Sequence, residues 1–331
     1  MKALLCERFG PADQLVVRDV PDLVPGDQEA VLRVRAAGVN FPDTLIIENR
    51  YQFKPELPFA PGGECAGVVE SVGARVPPHV VPGMRAIAFT TYGAFAEQVR
   101  VPARNLVPMP DGMDFEVASA FTIAYATTYH ALVDRAAMKA GETLLVLGAS
   151  GGVGLAAVEI GKALGARVIA AASSPEKLAI CAEHGADHTI DYEREDLRER
   201  VKELTSGAGV DVVYDPVGGR TTEIALRASA WRGRFLVIGF AAGDIPNVPA
   251  NLLLLKGASL VGVFWGDYAR REPGRVMQDL QTLFGWIREG RLRPRIAGRY
   301  PLERGAEAIA ALAARKVSGK LVITMATAAD G

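Results

Sequence analysis

The chain has 331 residues, nearly half of them hydrophobic, and carries 37 Lys and Arg against 38 Asp and Glu, a formal net charge of −1. That length holds two domains with their own cores, and the balanced charge excludes the electrostatic footprint of a nucleic-acid binder. Cys6, Cys65 and Cys181 stand far apart without paired spacing, which gives neither a disulfide framework nor a zinc motif and points to a reducing compartment. The start, Met1 to Arg8, becomes charged too soon for a signal peptide, and no apolar run has membrane-spanning length. The chain therefore reads as soluble and cytoplasmic.

Residues 1 to about 110 read as β structure. Leu15–Val20, Glu29–Arg35 and Cys65–Val72 are short runs rich in β-branched residues between Pro and Gly punctuation. Proline at 55, 58, 61, 77, 78 and 82 argues against long helices. The exception is a short helix over Pro42–Asn49, with Asp43 as a capping residue rather than a catalytic one. This part is expected to form an irregular antiparallel barrel or sandwich.

From about residue 115 apolar strands alternate with helix-compatible runs. Leu144–Leu147, Val168–Ala172, His188–Ile190, Val210–Tyr214, Phe235–Ile238 and Ser259–Phe264 are the strands. That order predicts a parallel, doubly wound sheet with ligand at the carboxyl ends of the strands. The first strand runs into Gly148-Ala-Ser-Gly-Gly-Val-Gly154, and a helix leaves it. In the dinucleotide pattern G-x-G-x-x-G the glycines make the tight turn, let backbone approach pyrophosphate, and let helix pack on strand. Ala149, Gly151 and Gly154 occupy those places. Ser150, Gly151, Gly152, Val153 and Gly154 would hold pyrophosphate at the helix start, where unpaired N–H groups favour negative charge.

NAD-binding units place an acid at the end of the second strand for the ribose 2′-hydroxyl. Here that position reads Ala171-Ala-Ser-Ser-Pro-Glu-Lys177. Small hydroxyl residues and a lysine leave room for a 2′-phosphate and attract it, which predicts NADPH. Ser174 also has the place of a helix N-cap, with Pro175 first in the helix. Beyond Gly266 come an amphipathic helix over Pro273–Glu289, a strand, a helix over Glu303–Ala314 and a last strand, Gly319–Thr324. None extends the parallel sheet easily, so all are assigned back to the first domain.

With the β-rich half first and the nucleotide unit second, the chain resembles the medium-chain dehydrogenase/reductase superfamily, and within it the zinc-independent, zeta-crystallin-like quinone oxidoreductases. Ala37-Gly-Val-Asn-Phe-Pro-Asp43, Pro61-Gly-Gly-Glu-Cys-Ala-Gly-Val-Val69, Tyr125–Leu132, Gly148–Gly154, Asp215-Pro-Val-Gly-Gly219 and Gly319–Val322 carry the resemblance in the family's order. Pro249–Leu255 and Val263–Gly266 look like the quinone oxidoreductase-like branch. The resemblance implies a GroES-like β-barrel domain at 1–120 and 267–331 and a Rossmann NADPH-binding domain at 121–266. Zinc relatives carry Cys where Asn40 stands and His where Gly63 stands, and the segment Phe121–Tyr125 offers no third ligand. Catalytic zinc needs three protein ligands, so no metal is expected.

Without a metal, hydrogen-bond donors must stabilise the oxygen that gains charge. By resemblance Tyr51 is the candidate donor, Asn40 orients cofactor or substrate, and Thr127 contacts the nicotinamide ribose. Ser173, Ser174, Lys177 and Tyr192 lie near the adenosine phosphate, Phe240 and Phe264 near the nicotinamide, and Lys320 joins from the last strand. Such a site favours acceptors that take hydride readily. Quinones come first, then α,β-unsaturated carbonyls, and a protein that binds NADPH without catalysis is the remaining alternative. The apolar strand Leu260–Phe264 would lie at a sheet edge that needs cover, which predicts a homodimer paired there. His79, His130, His184 and His188 are read as structural.

Overall fold

The computed structural model describes residues 1–326. The chain divides into two units, Met1–Ile123 with the chain from Pro294 onward, and Ala124–Arg293. It crosses from one to the other twice.

In the first unit the strand Glu29–Val39 is the organising element. Along one edge it pairs with Glu64–Val72 from Ala30 to Gly38, and two register shifts there bend it, so that no single strand follows its other edge. Its first half therefore pairs with Gln98–Pro102 and its second half with Lys320–Thr324, both antiparallel. The sheet continues from Glu64–Val72 to Arg85–Phe89 and Leu106–Pro108, and ends on the other side in Ile296–Pro301, parallel to Lys320–Thr324. Leu4, Leu32, Ile46, Ile47, Ile87 and Phe95 are fully buried, each stabilising by roughly 1.5–3 kcal/mol. The helix predicted near Pro42 covers Phe41–Ile46.

The second unit is a six-stranded parallel sheet. In spatial order its strands are His188–Asp191, Arg167–Ala172, Thr143–Leu147, Val210–Asp215, Ser229–Val237 and Ser259–Gly262. Helices on the faces bury both sides, which is why the inner strands are almost continuously apolar. Chain order reverses between Thr143–Leu147 and Val210–Asp215, the topological switch point where doubly wound sheets bind ligands.

Two expectations are corrected. The helices Trp265–Arg271 and Pro273–Arg288 belong to the second unit, so the first unit does not resume at 267 but at Pro294. The long helix buries Val276, Leu280 and Leu283 along one stripe, and Trp286 packs its ring edge-on to Tyr129 at 5.6 Å. An amphipathic helix joins a domain by covering a face, without extending its sheet. The last sheet strand also stops at Gly262, and Phe264 is the N-cap of the next helix.

Candidate active-site residues in two units

The glycine turn of the second unit is shaped by contacts that only glycine allows. Gly148 has φ +56°, and a Cβ there would lie 2.8 Å from Val217 on the adjoining Asp215–Gly219 turn. Asp215 folds that second turn by accepting from the N–H of Val217 (2.8 Å) and Gly218 (2.9 Å) and from Thr222 Oγ1 (2.7 Å). A Cβ on Gly154 would meet the Gly148 carbonyl at 2.4 Å and Ala149 backbone at 2.8 Å, so this glycine lets helix pack on strand.

Gly151 is different. Its φ of −72° suits any residue, and a Cβ would find its nearest neighbour at an ordinary 3.4 Å. The chain itself does not require glycine there. A phosphate approaching the backbone would, and Gly151, the N-cap of the helix Gly152–Ala163, has no side chain to cap that helix. Ser150 is buried in the same turn. Thr128 Oγ1 lies 2.8 Å from Ala124 O and from the buried Tyr214 hydroxyl and 3.4 Å from Val153 O of the turn, while its neighbour Thr127 is half-buried.

At the end of the second strand Lys177 Nζ donates to Ser173 Oγ at 2.9 Å. Ser174 caps the helix Pro175–Glu183, accepting from Lys177 N–H at 3.4 Å. Tyr192 N–H donates to Ala172 O, so the structure brings Ser173, Ser174, Lys177 and Tyr192 to adjoining strand ends. The Glu176 carboxylate bonds the Ser174 side chain, and that bond lowers its pKa. Phe240 lies beside Gly218, where an added Cβ would come within 2.9 Å of its ring. Phe264 is largely exposed.

The first unit carries a buried polar cluster that the sequence reading saw only in part. Glu64 is 0% exposed and Lys320 5%. Lys320 Nζ donates to Glu64 Oε1 (3.0 Å), Val39 O (3.1 Å) and Asn40 Oδ1. Asn40 Nδ2 donates to Glu64 Oε1 at 2.8 Å, and Glu64 Oε2 accepts Ile123 N–H at 2.8 Å. All three N–H donors of Lys320, the residue expected to join the cofactor site from the last strand, thus have protein acceptors within the first unit. An ammonium buried beside a carboxylate is held by the need of both charges for a partner. Asn40 is fixed in orientation by the same pair. Glu64 was missed because one acid in an apolar run reads as strand; a lone carboxylate inside Pro61–Val69 was the available signal.

Asp43 completes the cluster. It accepts from Asn40 N–H (2.7 Å) and Gly62 N–H (3.2 Å), the capping role predicted for it. Burial pushes its carboxyl up to about 7, against the opposing pull of those N–H donors and Lys320. Tyr51 is half-buried, with its ring 5.9 Å from that of Phe53. Burial, then the neighbouring Asp43 charge, raises its phenol above the ordinary range, so Tyr51 is a neutral donor at physiological pH. Cys65 is fully buried and its thiol is pushed far up by desolvation, which makes it an inert small hydrophobe. Among the described residues no three His, Cys, Asp or Glu side chains gather as a metal-holding group, and no helix is long and apolar enough to cross a membrane.

Of the four histidines, His130 is buried and stacks on Tyr268 with ring centroids 3.9 Å apart. His184 bonds through Nδ1 to the buried Glu159 at 2.6 Å. That network was also missed, and its only sequence signal was one acid within the apolar run Leu155–Ile160.

Comparison with known proteins agrees with both units. Residues 26–111 match the alcohol dehydrogenase GroES-like domain, and residues 152–282 the zinc-binding dehydrogenase domain. The second description names zinc, but the ligand positions marked by the resemblance hold Asn40 and Gly63 here. A quinone oxidoreductase of Pseudomonas aeruginosa is 39% identical over 95% of this chain and 97% of its own. A quinone oxidoreductase-like protein 2 homolog of Nematostella vectensis is 38% identical over 97% and 88%. The structure of Escherichia coli quinone oxidoreductase complexed with NADPH superposes with a TM-score of 0.91 at 29% identity, covering 98% of this chain and 100% of that one. With GroES-like and Rossmann units in the family's order and relatives alike over nearly their full length, the chain belongs to the medium-chain dehydrogenase/reductase superfamily as a member of the quinone oxidoreductase type.

Proposed function

We propose that this oxidoreductase reduces quinones with NADPH as the reductant. The observation that carries the cofactor is Gly151, a glycine the fold does not need, at the mouth of an uncapped helix. The Escherichia coli relative bound to NADPH supports it, as does the pairing of Lys177 with Ser173 where NAD-binding units keep an acid. Bound NADPH would supply hydride. Backbone N–H groups from Ser150 to Gly154 hold its pyrophosphate, and Ser173, Ser174, Lys177 and Tyr192 take the 2′-phosphate. Thr127, Phe240 and Phe264 serve the nicotinamide end. Tyr51 donates a hydrogen bond to the acceptor oxygen, and Asn40, locked by Glu64 and Lys320, keeps the first unit's polar groups oriented. The quinone acceptor is supported by relatives of that name at 38% and 39% identity. A homodimer paired along the Ser259–Gly262 strand belongs to the same reading.

The test is NADPH oxidation by metal-stripped protein with 1,4-benzoquinone, 9,10-phenanthrenequinone, an alkenal and a simple ketone offered in parallel. Turnover with a quinone and not with the ketone is expected, and Lys177→Ala lowers the preference for NADPH over NADH by about tenfold or more. Turnover of the alkenal alone would make the protein an alkene reductase. Binding without any turnover would leave a nucleotide-binding protein in place of an enzyme.

A further inference from the structure

Glu159 lies two turns into the helix that leaves the glycine turn, among the buried Leu155, Ala156, Ala157, Val158 and Ile160, and is itself 3% exposed. Hydride transfer gives it no task. A carboxylate in such surroundings persists only if donors surround it, and three residues supply them. Tyr125 OH donates to Oε2 at 2.7 Å. His184 bonds Oε1 through Nδ1 at 2.6 Å, and the backbone N–H of Arg293 is shared between both oxygens at 3.1 and 3.2 Å.

The positions of these donors along the chain carry the inference. The chain enters the second unit at Ala124 and leaves it after Arg293. Tyr125 is thus the second residue past the entry, and Arg293 the last before the exit. One buried carboxylate holds both. The exit segment is fastened further: Arg293 Nη2 donates to Glu183 O at 2.9 Å, and Arg291 Nη2 to Ala163 O. Those carbonyls close the helices Pro175–Glu183 and Gly152–Ala163, where a cation complements the helix dipole. The starts of the same two helices carry Lys177 and the glycine turn. Desolvation and the nearby Glu159 charge hold Tyr125 as a neutral phenol, hence a permanent donor.

We propose that Glu159 is a positioning residue that ties both chain crossings to the glycine-turn helix, so that crossings and cofactor-binding helices move as one body. Its link to the cofactor rests on the nucleotide-binding reading of that turn; the anchoring itself does not. Residues that set hinge geometry change turnover without touching substrate.

Hydrogen exchange on the full chain without cofactor tests the anchor. Glu159→Gln keeps the shape but removes one acceptor oxygen and the charge. Exchange is expected to rise about fivefold or more in both segments 121–126 and 290–295, with the strand 210–215 unchanged. Tyr125→Phe should loosen only the first segment. With NADPH and a quinone, Glu159→Gln should lower kcat while cofactor Kd stays within about twofold. Unchanged exchange at either crossing, or a uniform rise through the second unit, overturns the proposal. Should Glu159→Gln fail to fold, Tyr125→Phe decides: faster exchange confined to 121–126 supports the anchor, and no change removes it. A wild-type protein that takes no NADPH refutes the cofactor reading, yet the exchange comparison still decides the anchor.

Discussion

Asp43 sits 3% exposed with two backbone N–H donors, and burial outweighs them, raising its carboxyl from 3.8 to about 7. Between those values the folded protein binds a proton that the unfolded chain releases, so stability falls as pH rises through that window. The contribution is fully present below about pH 4 and lost by about pH 7 to 8. An Asp43→Asn substitution would mimic the protonated acid at every pH. The stability of wild type relative to Asp43→Asn should therefore decline between about pH 5 and pH 8, by on the order of 1–3 kcal/mol. Thermal melts of both proteins across that range check it, and parallel curves would show that Asp43 does not titrate there. The capping role of Asp43 was legible from its place beside Pro42. Its raised pKa was not, because that depends on burial in the folded unit and on Lys320 and Glu64, far away in sequence. For the same reason Lys320 read only as a contributor to the cofactor site: its type and position in a motif were visible, but the three acceptors that hold it were not.

The glycine turn shows which element features a sequence can carry. Strand, turn and helix are local and periodic, so Thr143–Leu147 and Gly152–Ala163 follow from residue order alone. Which glycines serve the fold and which serve a ligand is decided by neighbours across the turn. At Gly154 the obstructing atoms are backbone and cannot move aside, so Gly154→Ala should destabilise by about 1–3 kcal/mol. Gly151→Ala meets nothing closer than 3.4 Å and should leave stability unchanged or raise it by about 0.5 kcal/mol through lost unfolded-state entropy. It should nonetheless weaken NADPH about tenfold or more, because the methyl group occupies the approach to the backbone. Chemical denaturation beside cofactor titration separates the two. Equal loss of stability in both variants would refute this division of roles. The helix Pro273–Arg288 was placed in the wrong domain for a related reason: its apolar stripe of Val276, Leu280 and Leu283 says that something is covered, not which surface.

At the scale of the whole molecule, the open question is the edge of the parallel sheet. The strand Ser259–Gly262 pairs on one side with Ser229–Val237, and among the described residues no strand pairs with its other side. Leu260 is 40% exposed on it, and the helix Ala250–Lys256 just before it exposes Leu254 at 80%. Unpaired backbone beside bare leucines invites uncontrolled pairing unless it is covered. A second copy offering the same strand satisfies both edges at once, because a two-fold interface is self-complementary. Sedimentation at micromolar concentration should therefore give a species of twice the chain mass. Leu260→Lys should convert it to monomer, since a charge on the edge strand blocks pairing, while NADPH binding, proposed at the switch point in the middle of the sheet, should be retained. A wild-type monomer would remove this interface, and a Leu260→Lys dimer would place it elsewhere on the molecule.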